Sequence, residues 1–327
     1  MKVGTPLIAR TQFDGPTLKF DFPGLQIGVA EYEAGPTGCT VFAFPGGATA
    51  ALDIRGGSVG TIMATDGYTD AICFAGGSTY GLEAATGVSA ALLAQRQTAH
   101  WTKIAVVRGA IIYDFAVRDN IIYPDKALGQ SAFLAVRGGV FPLGARGAGR
   151  SARVGKGFRF ESGEAGGQGG AFRQIGRTKI AVFSVVNAIG AIVDRQGRVV
   201  RGHLNRSMGE RVHLAADIEA QLQAKEQAKA TANSQETPAM TIPQGNTTLT
   251  LIVTNQRLAA HDLTQLARQV HSSMSRAIQP LHTLDDGDVL YAVTTNEVEN
   301  RDLPTTALGV LASELAWDAV LCCWDQG

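Results

Sequence analysis

The chain has 327 residues, 29 of them Lys or Arg and 29 Asp or Glu, giving zero formal charge, with 18% charged and 45% apolar residues. That balance argues against binding to nucleic acid or an anionic membrane, both of which recruit excess positive charge. The apolar share at this length can form a sizeable core without staples, which excludes the disordered and fibrous classes.

In chain order, Leu25 to Tyr32 and Thr40 to Phe44 are strand-like and flank Ala34-Gly35-Pro36-Thr37-Gly38, a pattern that predicts an antiparallel hairpin. Leu82, Ala85, Val88 and Leu92 recur at helical spacing and predict a helix from about Tyr80 to Gln95. Ile104 to Val117 and Ile180 to Val193 read as strands, the second one buried. Between them, the 138–170 stretch is dense in glycine and is expected to be a long irregular loop. Gln221 to Gln244 is rich in Ala, Gln, Lys and Glu with almost no large apolar residue, so it is expected to lie outside the core as a mobile polar segment. It feeds directly into Thr247 to Thr254, which has the β-branched content of a buried strand.

Beyond that strand, Leu263, Leu266, Val270 and Met274 mark a helix from about Asp262 to Ile278 that stops at Pro280. Asp285-Asp286-Gly287-Asp288 is expected to turn the chain into a strand from Val289 to Thr295. A last helix over Thr305 to Leu321 carries Leu308, Leu311, Leu315 and Ala316 on one stripe. The mixture predicts helices layered outside antiparallel sheets. The four cysteines, Cys39, Cys73, Cys322 and Cys323, contain no CxxC and suit reduced core thiols. The start of the chain lacks an apolar signal-peptide region, and 180–193 is too short to span a bilayer, so a cytoplasmic protein with no membrane partner is expected.

Several chemical motifs fail. Gly76-Gly77-Ser78-Thr79-Tyr80-Gly81 misses the GxSxG elbow by one position, and no GxGxxG is present. Lys156 follows Gly155 but lacks the upstream glycine and the downstream Ser or Thr of a phosphate loop, the six histidines show no HExxH, and the acidic tetrad lacks calcium-loop spacing. No cofactor and no metal are therefore expected.

The junction Gly245-Asn246-Thr247-Thr248 stands apart, because a hydroxyl residue opens a strand just after a polar linker. Attack of the Thr247 oxygen on the Asn246 carbonyl would give an ester that water hydrolyses. It would free an α-amine whose pKa of about 8 lets it serve as base toward its own hydroxyl. The plain alternative is a loop entering an ordinary strand.

The stretches FDFPG, AGGSTYGLEAATGVSAALL, IIYDF, YPDKALG, GQGGAFR, VVRG, GNTTLTLIVTN, QVHSSMSRAIQP, HTLDDGD and AVTTNE follow one another between Leu18 and Asp318. In these stretches the sequence resembles the nylon-oligomer hydrolases (6-aminohexanoate-oligomer endo-hydrolases). These sit within the self-processing β-aminopeptidases and D-aminopeptidases, which share a fold with ornithine acetyltransferase. The resemblance implies an α/β (α+β) fold, a four-layer αββα sandwich forming a single N-terminal-nucleophile hydrolase domain over 1–327. Cleavage between Asn246 and Thr247 would give subunits 1–246 and 247–327, interlocked in a homo-oligomer such as a tetramer. The substrate would be a polyamide oligomer or a peptide-like amide.

The same resemblance implies Thr247 as nucleophile, Lys156 as the cation beside it, Asn187 and Tyr113 as oxyanion donors, and Asp286 and Asp288 as a matching pair that would hold the Thr247 ammonium or orient its hydroxyl. Each has a plainer reading: a solvated lysine, a strand-end amide, a core tyrosine, two turn aspartates. β-Aminopeptidases have a serine and a glutamate in place of the two aspartates, which favours the nylon-hydrolase branch over a β- or D-aminopeptidase. One departure is the short N-terminus, with only seventeen residues before Leu18.

Overall fold

The computed structural model describes residues 7–325 other than 99, 116–117, 119 and 231–244. The expected hairpin forms from β1 (Gln26–Tyr32) and β2 (Thr37–Ile54), with Tyr32 opposite Thr37. β2 runs 18 residues, well past Phe44, because a register shift between Ala43 and Ala48 lets Pro45-Gly46-Gly47 bend it without ending it. Its first half lies between β1 and β3 (Gly67–Ala75), and β3 pairs in parallel with β4 (Val107–Ile111) across the helix α1 (Glu83–Arg96). A second helix, α2 (Lys126–Leu134), is capped by the Asp125 side chain accepting the Leu128 N–H at 2.9 Å.

The second half of β2 joins another layer. That layer contains β5 (Gly167–Ile175), β6 (Thr178–Asn187), β7 (Thr247–Gln256) and β8 (Val289–Val298), in the order β5-β6-β7-β8-β2. The polar helix α3 (Leu214–Ala230) precedes β7, while α4 (Ala260–Ser273) and α5 (Thr305–Leu321) flank this sheet. Period-2 alternation sorts the side chains into three apolar layers. Phe42, Phe74, Phe183, Leu251 and Tyr291 point between the two sheets. Val41, Cys73 and Ala75 meet α1 and α2, and Val182, Ile252 and Leu290 meet α4 and α5. The result is the expected αββα sandwich. Phe183 sits at its centre, 1% exposed, with ring centroids of Phe42 at 5.2 Å and Phe141 at 4.9 Å. Phe183→Ala should lower stability by about 3–5 kcal/mol in a denaturant titration.

Some expectations needed correction. The sheets are mixed, not antiparallel: β7 pairs with β8 and β3 with β4 in parallel, each through a helical crossover that supplies the needed chain length. The strand expected over Ile104 to Val117 shrinks to β4, and residues 116 and 117 lie outside the described residues. The strand expected over Ile180 to Val193 breaks at Asn187 and resumes as Ala191–Val193. The glycine-dense region is no mere loop, because Gly167 to Gly170 open β5. A Cβ at Gly169 would stand 1.9 Å from the Ala319 carbonyl, so these glycines let α5 approach the sheet.

The polar stretch from Gln221 begins inside α3, since Ala, Gln, Lys and Glu are strong helix formers even without an apolar stripe. Positions 231–244 of that stretch lie outside the described residues. α4 ends at Ser273, and Ile278–Gln279 forms a short strand against Ala191 and Ile192. All four cysteines are free thiols, Cys39, Cys73 and Cys323 fully buried. Among the described residues no helix is long and apolar enough to cross a membrane.

Candidate active site

Thr247 is the first residue of β7, in the middle of the second sheet, and its register partner is Asn187, the last residue of β6. On the other side, an isolated bridge pairs Asn246 with Asp286, continuing the parallel β7–β8 register. Sheet pairing alone thus brings Asn187, Asn246, Thr247 and the aspartate turn together. All are deeply buried: Thr247, Asp286 and Asp288 at 0%, Asn246 at 1%, Asn187 at 2%.

The Thr247 hydroxyl donates to the Asn246 carbonyl oxygen at 2.5 Å, within its own peptide unit. The same oxygen accepts the Gly287 N–H at 3.0 Å.

Lys156 lies between Gly155 and Gly157, both at positive φ (66° and 51°), a conformation that folds the loop back on itself. The Gly155 and Gly157 N–H groups donate to Gly190 and Ile189, which pins the loop beside the end of β6 and aims the lysine inward. It is 2% exposed, so the solvated reading fails. Its Nζ donates to Gly245 O at 2.6 Å, Asn187 O at 2.9 Å and Asn187 Oδ1 at 3.3 Å. Burial pulls its pKa down to about 7, against the opposing negative charges of Asp286 and Asp114.

Asn187 uses both ends of its amide. Its Oδ1 accepts the Arg153 N–H at 2.9 Å, and its Nδ2 donates to Tyr113 O and Gly245 O at 3.0 Å each. Lys156 and Asn187 thus converge on one carbonyl oxygen, that of Gly245. Tyr113 enters the site through its carbonyl. Among the described residues, its hydroxyl makes no hydrogen bond to Gly245, Asn246 or Thr247.

The two aspartates flank Gly287 but bind backbone and turn groups, not the Thr247 side chain. Asp286 accepts the Thr283 N–H at 3.0 Å and hydroxyl at 2.7 Å, with the Ile189 N–H at 3.4 Å. Asp288 accepts the Thr248 N–H at 2.6 Å on Oδ1, and the His282 N–H at 3.1 Å and ring Nδ1 at 2.8 Å on Oδ2. Burial, then repulsion from Asp288, raises the Asp286 pKa to about 6, against the Thr283 and Ile189 hydrogen bonds. A lysine near 7 and a carboxyl near 6 in one dry site can both exchange protons at neutral pH. His282 and Thr283, which hold the two aspartates, are not among the residues that the sequence singles out for a role. The Thr283-x-x-Asp286 spacing, a hydroxyl residue three before a carboxylate in a turn, is the signal that could have exposed one of them.

A cavity of about 870 Å³ lies elsewhere, between β2 and the outer helices, lined by Phe44, Asp70, Leu92, Arg96 and Phe133 among others. The burial and pKa pattern, not cavity size, locates the chemistry. A cavity of about 10 Å³ touches Lys156 and is walled by Leu214 and Asp217 of α3. Among the described residues no group of three or more His, Cys, Asp or Glu is placed to hold a metal.

A threonine at a strand start, with its hydroxyl on the preceding carbonyl, amide donors nearby and a perturbed lysine and carboxyl, is the equipment of an N-terminal-nucleophile hydrolase. The family model of peptidase family S58 matches residues 20–321, and the chain belongs to that family. It is 46% identical over 318 residues to the 6-aminohexanoate-oligomer endohydrolase of Paenarthrobacter ureafaciens, covering 93% of this chain and 85% of that one. Among solved structures it resembles a Burkholderia β-aminopeptidase (TM-score 0.63, 18% identity, 92% of this chain and 84% of that one). It also resembles the L-aminopeptidase D-Ala-esterase/amidase of Ochrobactrum anthropi, described as a variant of the Ntn-hydrolase fold (TM-score 0.62, 17% identity, 95% and 87%).

Proposed function

We propose that the chain is a self-cleaving amidase that hydrolyses internal amide bonds of 6-aminohexanoate oligomers through an acyl-Thr247 ester. The observation that carries this is the Thr247 hydroxyl 2.5 Å from the Asn246 carbonyl oxygen in a fully buried site. The 46% identity to an enzyme named for that substrate supports the choice.

In self-cleavage the Thr247 oxygen bonds to the Asn246 carbon, the peptide C–N bond breaks, and the hydroxyl proton ends on the Thr247 nitrogen. Water then hydrolyses the ester, leaving pieces 1–246 and 247–327. Departure of the Gly245 carbonyl frees Lys156 Nζ and Asn187 Nδ2, two converging donors that then receive the oxygen of a substrate amide. The Tyr113 hydroxyl turns toward that oxygen as a third donor. The new α-amine takes the Thr247 proton and passes it to the leaving amine, with Asp286 and Asp288 holding the ammonium form. The pieces stay interlocked, because β7 from the smaller one lies between β6 from the larger and β8. A cytoplasmic homotetramer of such pairs completes the reading, with no cofactor.

The likeness to the Burkholderia β-aminopeptidase favours one rival, release of single residues from amine-terminated peptides. N-terminal sequencing of the smaller piece should give Thr-Thr-Leu-Thr, and an amide panel should show internal cuts in 6-aminohexanoate oligomers, including cyclic ones without a free amine. Products limited to single terminal residues would move the chain to the rival, and another start residue would remove the mechanism.

A further inference from the structure

The carbonyl that self-cleavage attacks is not the one that Lys156 and Asn187 hold. Those two side chains converge on Gly245 O, one residue earlier. As Thr247 Oγ1 bonds to the Asn246 carbon, negative charge gathers on Asn246 O, and that oxygen accepts the Gly287 N–H at 3.0 Å. We propose that the backbone N–H of Gly287 is the oxyanion donor of the self-cleavage step, separate from the Lys156–Asn187 donors that the uncut chain occupies with its own Gly245 carbonyl. This rests on Asn246–Thr247 being the bond that is cut.

Three features prepare the donor. It belongs to the continuation of the β7–β8 ladder, where Asn246 pairs with Asp286, so its direction is set by sheet register before the reaction begins. The peptide is clamped on both sides: Asp286 is tied to Thr283 and Ile189, Asp288 to Thr248 and His282. The surroundings are deeply buried, which strengthens a hydrogen bond to a developing charge.

Glycine is required for space. A Cβ at position 287 would stand 2.1 Å from the Ser58 carbonyl oxygen and 3.1 Å from Thr247 Oγ1. Any other residue would push the amide away from Asn246 or crowd the nucleophile. The simpler view, in which this is only the first bond of a ladder, makes a different prediction for rate.

The test replaces Gly287 with glycolic acid during cell-free synthesis of the full chain. This turns the N–H into an ester oxygen while keeping the backbone shape. Glycolic acid at Gly144, whose N–H donates to Gln168 O at 2.9 Å and not to Gly245, Asn246 or Thr247, is the matched control. Cutting of freshly made chain is followed on a denaturing gel. The change at Gly287 should slow cutting by about 10² to 10³, the usual cost of one oxyanion donor, and the change at Gly144 by no more than about threefold.

Equal slowing in both, or cutting of the Gly287 ester at the unaltered rate, overturns the donor assignment. An unaltered chain that never cuts at this bond overturns the underlying reading, and the donor with it. A second measurement covers an ester chain that does not fold. In the uncut Thr247→Ala chain the Gly287 amide should be protected from hydrogen exchange, and in the cleaved protein it should exchange at least about tenfold faster. Fast exchange in the uncut chain would also overturn the proposal.

Discussion

Thr247→Ala is expected to remain one full-length chain on a denaturing gel and to hydrolyse no 6-aminohexanoate oligomer. Removing the hydroxyl takes away the attacking atom of both steps, and without cleavage no α-amine is formed to act as base. Loss of a nucleophile that works with its base as a unit costs on the order of 10⁶ in rate, so turnover should fall to background. The chain should still fold, because Thr247 is held by ladder pairing with Asn187 and, among the described residues, its hydroxyl bonds its own peptide. Thr247→Ser keeps the hydroxyl and should still cut. An alanine variant that is uncut yet active would remove Thr247 from the chemistry.

The second large effect belongs to the aspartates. Either Asp→Asn change should lower turnover of the cleaved protein by about 10² to 10⁴, the range for loss of a group that positions or exchanges a proton. The two differ in their pH profiles. Repulsion from Asp288 helps hold Asp286 up to about 6, so removing that charge in Asp288→Asn should lower the Asp286 pKa and move the acid limb to lower pH. In Asp286→Asn the group titrating near 6 is gone and that limb disappears. Lys156 also loses a negative neighbour that props it up, so its pKa should drop below about 7. kcat/KM for the cleaved fraction of each protein, measured from pH 5 to pH 9, reads all three effects. Unchanged rates with unchanged profiles would reduce both residues to turn formers and weaken the choice of the endo-hydrolase reading over an aminopeptidase.

Local pattern made much of the fold legible. The apolar spacing of Leu263, Leu266 and Val270 and of Leu308, Leu311 and Leu315 marked helices that bury those faces, and the β-branched run after Asn246 marked β7. Helical spacing and β-branched content report one element's burial, so they carry across directly. By the same token Gly167 to Gly170 looked like loop, because what those glycines serve is the approach of α5 from a distant part of the chain. Parallel pairing of β7 with β8 was equally hidden, since it depends on how a crossover packs.

The site divides the same way. The threonine after a polar linker and the Asp-Gly-Asp turn were visible in sequence, as was a lysine between glycines. Only the tertiary structure decided that this lysine is buried on Asn187 and Gly245, which pulls its pKa to about 7, and that Asp286 is raised near 6. Desolvation and convergence of groups 31 to 130 positions apart are properties of the packed sheets, and no local window of sequence contains them.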